Sequence, residues 1–178
     1  YLINGRLAYA SLEHYLAKKS TNEEDNFRNS LVHWQKAMKT NSPYINQIEY
    51  DYAQTMRRGF DSGIEYEGWP LTHREIIGKL KTLVFLYPND SEFIIELANA
   101  YNSFSKIGGP SYLEEADKAL QKAQRLAPYN IKINFASAKN KILKKDRESA
   151  LEELSKAVKL HSGLSDPKIL LSFLYYQI

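Results

Sequence analysis

An all-α chain of stacked antiparallel helix pairs, about four hairpins and a final unpaired helix, is what this sequence predicts, and three observations carry the prediction. Between Ser91 and Tyr175 one block of residues recurs: Ala116, Leu120, Ala123, Leu126 and Pro128 are answered 34 residues later by Ala150, Leu154, Ala157, Leu160 and Ser162. The helices preceding these agree, since Leu97, Ala98 and Tyr101 correspond to Ser137, Ala138 and Lys141, and those to Leu171, Ser172 and Tyr175, again 34 further on. Apolar residues follow helical spacing along the chain, and no stretch reads as a convincing strand.

The residue types have a physical reason. Two antiparallel helices approach closely only where a small side chain sits at the crossing, which Ala98, Ala116, Ala138 and Ala150 supply. A single hairpin cannot bury its apolar face alone, so neighbouring hairpins share stability in a quasi-one-dimensional stack. A period near 34, small residues where helices touch, an aromatic late in the first helix and a closing proline resemble the tetratricopeptide (TPR) signature. That resemblance implies a right-handed superhelical solenoid over 1–178, a single repeat domain whose first helices line a concave face and which binds rather than catalyses.

Taken in order, Leu2 to Lys19 predicts a long opening helix, with Leu7, Tyr9, Leu12, Tyr15 and Leu16 on one broad side. Thr21 and Glu24 form a capping box for the next helix, which carries Phe27, Ser30, Leu31, Trp34, Ala37 and Met38 to about Thr40 and stops at Asn41, Ser42 and Pro43. A helix over Tyr44 to Arg58 presents Ile48, Tyr52, Ala53 and Met56, and its partner is expected from Arg74 to Tyr87, entered through a capping box of Thr72 and Glu75. Pro43, Pro88 and Pro128 stand 45 and 40 residues apart, so two insertions account for the excess over the repeat. One, 59–71, holds Gly59, Gly63, Gly68 and Pro70 with Phe60, Tyr66 and Trp69 and reads as a loop able to fold over something. The other, 105–111, holds Gly108, Gly109 and Pro110 before a capping box at Ser111 and Glu114.

Bulk composition narrows the function. A chain of 178 residues, 43% hydrophobic and 25% charged, suits one ordinary globular domain or a short solenoid. A net charge of +3 is well short of a dedicated nucleic-acid binder. Without cysteine there is neither a disulfide framework nor a thiolate metal site, and the four histidines, His14, His33, His73 and His161, show no ligand spacing. The longest apolar run, Ile169 to Tyr176, is too short to span a bilayer. Carboxylates cluster at helix starts, where the helix dipole accounts for them, and no phosphate-binding glycine loop, paired-histidine motif or serine elbow is present. No cofactor is implied. The chain opens at Tyr1 without methionine and closes on an apolar helix, which leads us to expect a fragment of a longer protein.

The TPR resemblance places groove contacts at the second, fifth, ninth and twelfth positions of each repeat. Here those are Gln47, Tyr50, Gln54 and Arg57; Glu92, Ile95, Asn99 and Asn102; Lys132, Phe135, Lys139 and Ile142; Asp166, Ile169, Phe173 and Tyr176. From them Tyr50, Gln54, Arg57, Asn99, Asn102, Phe135, Lys139 and Phe173 are the expected partner-binding residues, because amides bond a peptide backbone and aromatics supply area at low entropy cost. The family's carboxylate clamp is incomplete, with Ile95 and Ala136 where a base and an amide belong, which argues against chaperone docking. The basic run Lys139, Lys141, Lys144, Lys145 and Arg147 suits a solvated turn at a helix C-terminus, with phosphate contact as the sharper alternative.

The order of features, including Gln47 to Gln54 (QIEYDYAQ), the long insertion and the helix ending Tyr87, Pro88, Asn89, Asp90, also resembles the C-terminal region of bacterial O-antigen ligase or polymerase-like membrane proteins. That implies an extracytoplasmic repeat region tied to the membrane only through flanking segments, whereas a stand-alone adaptor would be cytoplasmic. The leading expectation is therefore a non-catalytic interaction domain with a protein or peptide partner and no nucleic acid. The competing class is a glycan- or nucleotide-handling enzyme with 59–71 as its lid. The terminal helix, with Leu170, Leu171, Phe173, Leu174, Tyr175, Tyr176 and Ile178, predicts a symmetric homodimer.

Overall fold

The computed structural model describes residues 24–40 and 42–176, and every regular element among them is an α-helix. The opening helix over Leu2 to Lys19 and the Thr21 side of the first capping box lie outside these residues. The chain divides between Glu67 and Gly68 into two compact units.

In the first unit α1 (Glu24–Met38) packs against α2 (Ile45–Asp61). The helical spacing of Phe27, Trp34 and Ala37 on one and Ile48, Tyr52, Ala53 and Met56 on the other puts all seven in the core. Trp34 meets Tyr52 edge-on, ring centroids 6.1 Å apart, and Phe27 meets Tyr66 in the same way at 6.2 Å. Gly59 is small for a reason: a Cβ there would stand 2.6 Å from the Phe27 ring.

The second unit contains α3 (Trp69–Leu86), α4 (Ser91–Gly108), α5 (Ser111–Leu126), α6 (Ile131–Leu143), α7 (Arg147–Leu160) and α8 (Pro167–Tyr176). Each helix packs on the next, and α4 touches α6 and α6 touches α8, as stacked hairpins require. Ala98, Ala116, Ala138 and Ala150 are all fully buried. Around the last pair Ala138, Ile142, Ala150, Leu154 and Leu171 form one cluster, with Phe135, Leu151, Leu170 and Leu174 packed against it.

At four helix starts the residue just before the helix caps it through its side chain, Asp166 of α8 accepting from the Lys168 amide at 2.7 Å. Asp90 accepts from the amides of Glu92 and Phe93, Asn130 from Lys132 and Asp146 from Ser149, so each N-cap satisfies otherwise orphaned donors. Hydrogen bonds from Ser149, from its side chain first and then its backbone, hold the Asp146 carboxyl below the usual carboxylate range.

Two expected capping boxes are corrected. Pro70 stands in the first turn of α3, and its fixed φ starts the helix at Trp69, leaving Thr72 buried inside it rather than at its cap. Pro110, with φ −61°, precedes Ser111 as the cap residue of α5, and no side chain caps that end. The insertions shrink accordingly. The stretch read as a loop over 59–71 narrows to 62–68, and Trp69 is buried beside Phe104, ring centroids 6.4 Å apart. At 105–111 the chain stays helical to Gly108, and only Gly109, whose φ of 88° suits glycine, and Pro110 separate the helices.

Candidate binding face of the first helices

Helices α4, α6 and α8 each open a repeat of the second unit, and their mutual contacts bring the expected groove positions of that unit onto neighbouring surfaces. The structure sorts those positions by what lies over them. At the twelfth, Asn102 is fully buried. Its Nδ2 donates to the Ala136 carbonyl at 3.0 Å, and its Oδ1 accepts from Asn140 Nδ2 at 2.7 Å. Asn140 Nδ2 also donates to the Leu113 carbonyl at 2.9 Å. The expectation that Asn102 contacts a partner is therefore corrected: its amide is spent joining α4 to α6, because α6 lies directly over it. Ile142, at the same position one repeat on, is buried in the cluster that Leu171 completes.

At the fifth position Ile95 is buried, and Phe135 is half-buried and leans on the same cluster. The ninth position stays open to solvent in all three helices. Asn99 and Lys139 are half-buried, and Phe173 is 62% exposed. Lys139 Nζ donates to Ser103 Oγ at 3.2 Å, which ties its ammonium to α4. At the second position Lys132 pairs with Glu92 at 2.7 Å, and Asn130 Nδ2 adds a bond to the same carboxylate at 3.1 Å. Asn99, Lys139 and Phe173 are thus a polar amide, a tethered cation and an aromatic from three successive repeats.

In the first unit the expected residues lie along α2 and are half-buried. Gln54 Nε2 donates to the Tyr50 hydroxyl at 2.8 Å, and Arg57 pairs with Asp61 at 2.8 Å. Each side chain is thereby held in place along its own helix.

The basic run divides. Lys141 and Lys144 both pair with Asp117 of α5, Lys141 at 3.5 Å, so two of its cations are matched by a carboxylate that the run itself does not contain. Lys145 sits at the left-handed turn closing α6, φ 64°. The solvated-turn account fits this arrangement.

Sequence reasoning missed a second feature. Residues 133, 137 and 141 lie on roughly the opposite face of α6 from 135 and 139, and there α5, α6 and α7 enclose a cleft of about 610 Å³. Ile133, Asn134 and Ser137 line it with Gln121, Glu153 and Lys156. Asn134 Nδ2 donates to Glu153 Oε2 at 3.2 Å, and Lys156 pairs with the same carboxylate at 2.6 Å. The buried Oδ1 of Asn134 has no hydrogen-bond partner. A cleft between second helices is made by repeat spacing, which a residue pattern does not announce. Among the described residues no three His, Asp or Glu side chains could hold a metal ion, and no helix is long and apolar enough to cross a membrane.

A chain of helix pairs stacked in this way has the TPR-like repeat fold. No model of a known family matches the sequence, and neither does any curated protein. Among solved structures it is similar to a thermophilic TPR protein in Thermus thermophilus, with a TM-score of 0.64 and 21% identity over 98% of this chain and 81% of that one.

Proposed function

We propose that this chain is a non-catalytic scaffold that holds a protein partner, as an extended peptide, along the first helices of its repeats. The observation that carries the proposal is the ninth position, where Asn99, Lys139 and Phe173 keep solvent access while the fifth and twelfth positions of α4 are covered. An amide and a cation bind peptide carbonyls and carboxylates, and an exposed phenyl ring supplies apolar contact. Phe135 stands at the edge of this surface, and in the first unit Tyr50, Gln54 and Arg57 offer similar chemistry along α2.

The test is a peptide selected against the chain from a random displayed library. Asn99→Ala and Lys139→Ala should each weaken its binding severalfold and leave the thermal midpoint nearly unchanged, as surface substitutions do. A selected peptide whose affinity is indifferent to Asn99, Lys139 and Phe173 would overturn the groove reading. Turnover of a glycan or nucleotide would favour the enzyme reading instead.

Self-association through α8 belongs to the same proposal. Leu171 is buried, and Leu170 and Leu174 pack on the core, so the apolar surface left on α8 is Ile169, Phe173, Tyr175 and Tyr176. Phe173→Ser with Tyr176→Ser should abolish an α8 pair in sedimentation, and an unchanged dimer would exclude it. The narrower reading, a repeat region of an O-antigen ligase-like protein, rests on the QIEYDYAQ run and the order of features. The full-length gene tests it, with a block of transmembrane helices ahead of Tyr1 as the expected result.

A further inference from the structure

Helix α3 carries one face for which its own fold gives no reason. Leu71 is 75% exposed and Phe85 is 83% exposed. Midway between them, seven residues from each, stands Gly78, solvent-exposed and with no atom within 4 Å of where a Cβ would lie. Glycine in a helix interior is less favourable than alanine, and no close neighbour among the described residues requires it here. Large apolar residues in water are unfavourable in turn. Residues seven apart share one helix face at the spacing of a two-helix seam, and a glycine at the middle of such a seam lets two backbones approach.

We propose that this face of α3 is a self-association surface, on which two copies of the chain pair antiparallel about a two-fold axis through Gly78. The axis sets Gly78 against Gly78 of the second copy, and any residue n places before it against the residue n places after it. Leu71 then meets Phe85 seven places out on both sides. Three places out, Glu75 meets Lys81, and four places out Arg74 meets the neutral Thr82. All four of these polar residues are exposed. Glu75 has no ion pair among the described residues, and Lys81 lies over the Tyr101 ring at 5.9 Å. The face is thus complementary to itself in both charge and apolar contact, the condition for a closed two-fold interface. A partner helix of unrelated sequence would need an acidic and a basic residue at matching places, whereas a second copy carries them by symmetry. With only two apolar pairs, one on each side of the glycine centre, the contact is a small one, and the dimer is expected to be weak, forming at about 10 to 100 µM. The proposal is independent of the peptide groove.

Sedimentation equilibrium of the full chain tests it with a charge swap. Glu75→Lys alone and Lys81→Glu alone each set like charges against each other and should weaken the dimer by about tenfold or more. An equimolar mixture of the two variants should dimerise like the wild type, because the lysine introduced in one copy then faces the glutamate introduced in the other. The double variant should dimerise equally well for the same reason. As the chain has no native cysteine, Gly78→Cys should cross-link to itself under mild oxidation. Leu71→Cys should cross-link to Phe85→Cys in a mixture but not to itself. A wild type that stays monomeric at several hundred micromolar overturns the proposal. Variants that all remain dimeric also overturn it, and assign the pairing to α8 or another face. Recovery in the double variant without recovery in the mixture overturns the antiparallel register.

Discussion

Replacing Asn102 by alanine tests the division between the residues that join repeats and those that face a partner. The substitution removes the bond to the Ala136 carbonyl and takes from Asn140 the acceptor at 2.7 Å, leaving that amide only its bond to Leu113. Asn102 is fully buried, and the Oδ1 of Asn140 already lacks a donor, so no spare donor waits there for the Ala136 carbonyl. At roughly 0.5 to 1.5 kcal/mol net for each bond, the loss is about 1 to 3 kcal/mol before any cavity is counted. Urea midpoints read it directly: with a slope of about 2 kcal/mol/M, the midpoint should fall by roughly 0.5 to 1.5 M. Asn99→Ala, on the open ninth position of the same helix, should move the midpoint by no more than about 0.25 M. Asn140→Ala combined with Asn102→Ala should cost less than the sum of the two, since they share a bond. An Asn102→Ala chain as stable as Asn99→Ala, yet impaired in peptide binding, would refute this assignment and return Asn102 to the groove.

Lys145→Gly should stabilise the chain by roughly 0.5 to 1 kcal/mol in the same titration, because Lys145 holds φ 64° while its amide and that of Asp146 bond the Ile142 and Lys141 carbonyls in a left-handed helix end. Gly59→Ala sets two effects against each other. Helix propensity favours alanine by about 1 kcal/mol, but the new Cβ would meet the buried Phe27 ring. Overpacking at about 1 to 3 kcal/mol should win, and a raised melting temperature would show that Phe27 moves aside at little cost. The Asp146 carboxyl is depressed by its bonds to Ser149, so its contribution is present above the unfolded pKa and is lost as pH falls through the folded value. Asp146→Asn should accordingly flatten the pH dependence of stability below about pH 4, an effect read from melting temperatures of the two chains across that range.

The repeat was legible in the sequence because the residues that define it answer to helix geometry alone. Ala98, Ala116, Ala138 and Ala150 are small because helices cross there, and all four are buried where the spacing put them. Helix ends were read less well. Pro70 and Pro110 start α3 and α5 by fixing φ, and the same residues, read as loop punctuation, suggested longer loops and later helix starts. Asp90 and Asn130, each two residues after a closing proline, and Asp146 cap through their own side chains, a role that the packing residues of the repeat do not reveal.

The groove was legible only in part, for a reason that lies in stacking rather than in residue type. A position list treats every repeat alike, but each first helix is covered by the one that follows. Along the twelfth position Asn102 is 0% exposed beneath α6, Ile142 is 5% exposed in the cluster with Leu171, and Tyr176 is 93% exposed with no helix over it among the described residues. An asparagine and a tyrosine that occupy one column of the repeat thus perform unlike tasks. The amide is consumed in fixing the register of two helices, and the phenol stays open to solvent. What the repeat fixes is where a side chain stands; the next repeat decides whether anything outside can reach it. The residues to test for binding are therefore those that the following helix leaves uncovered, Asn99 and Lys139 before all others.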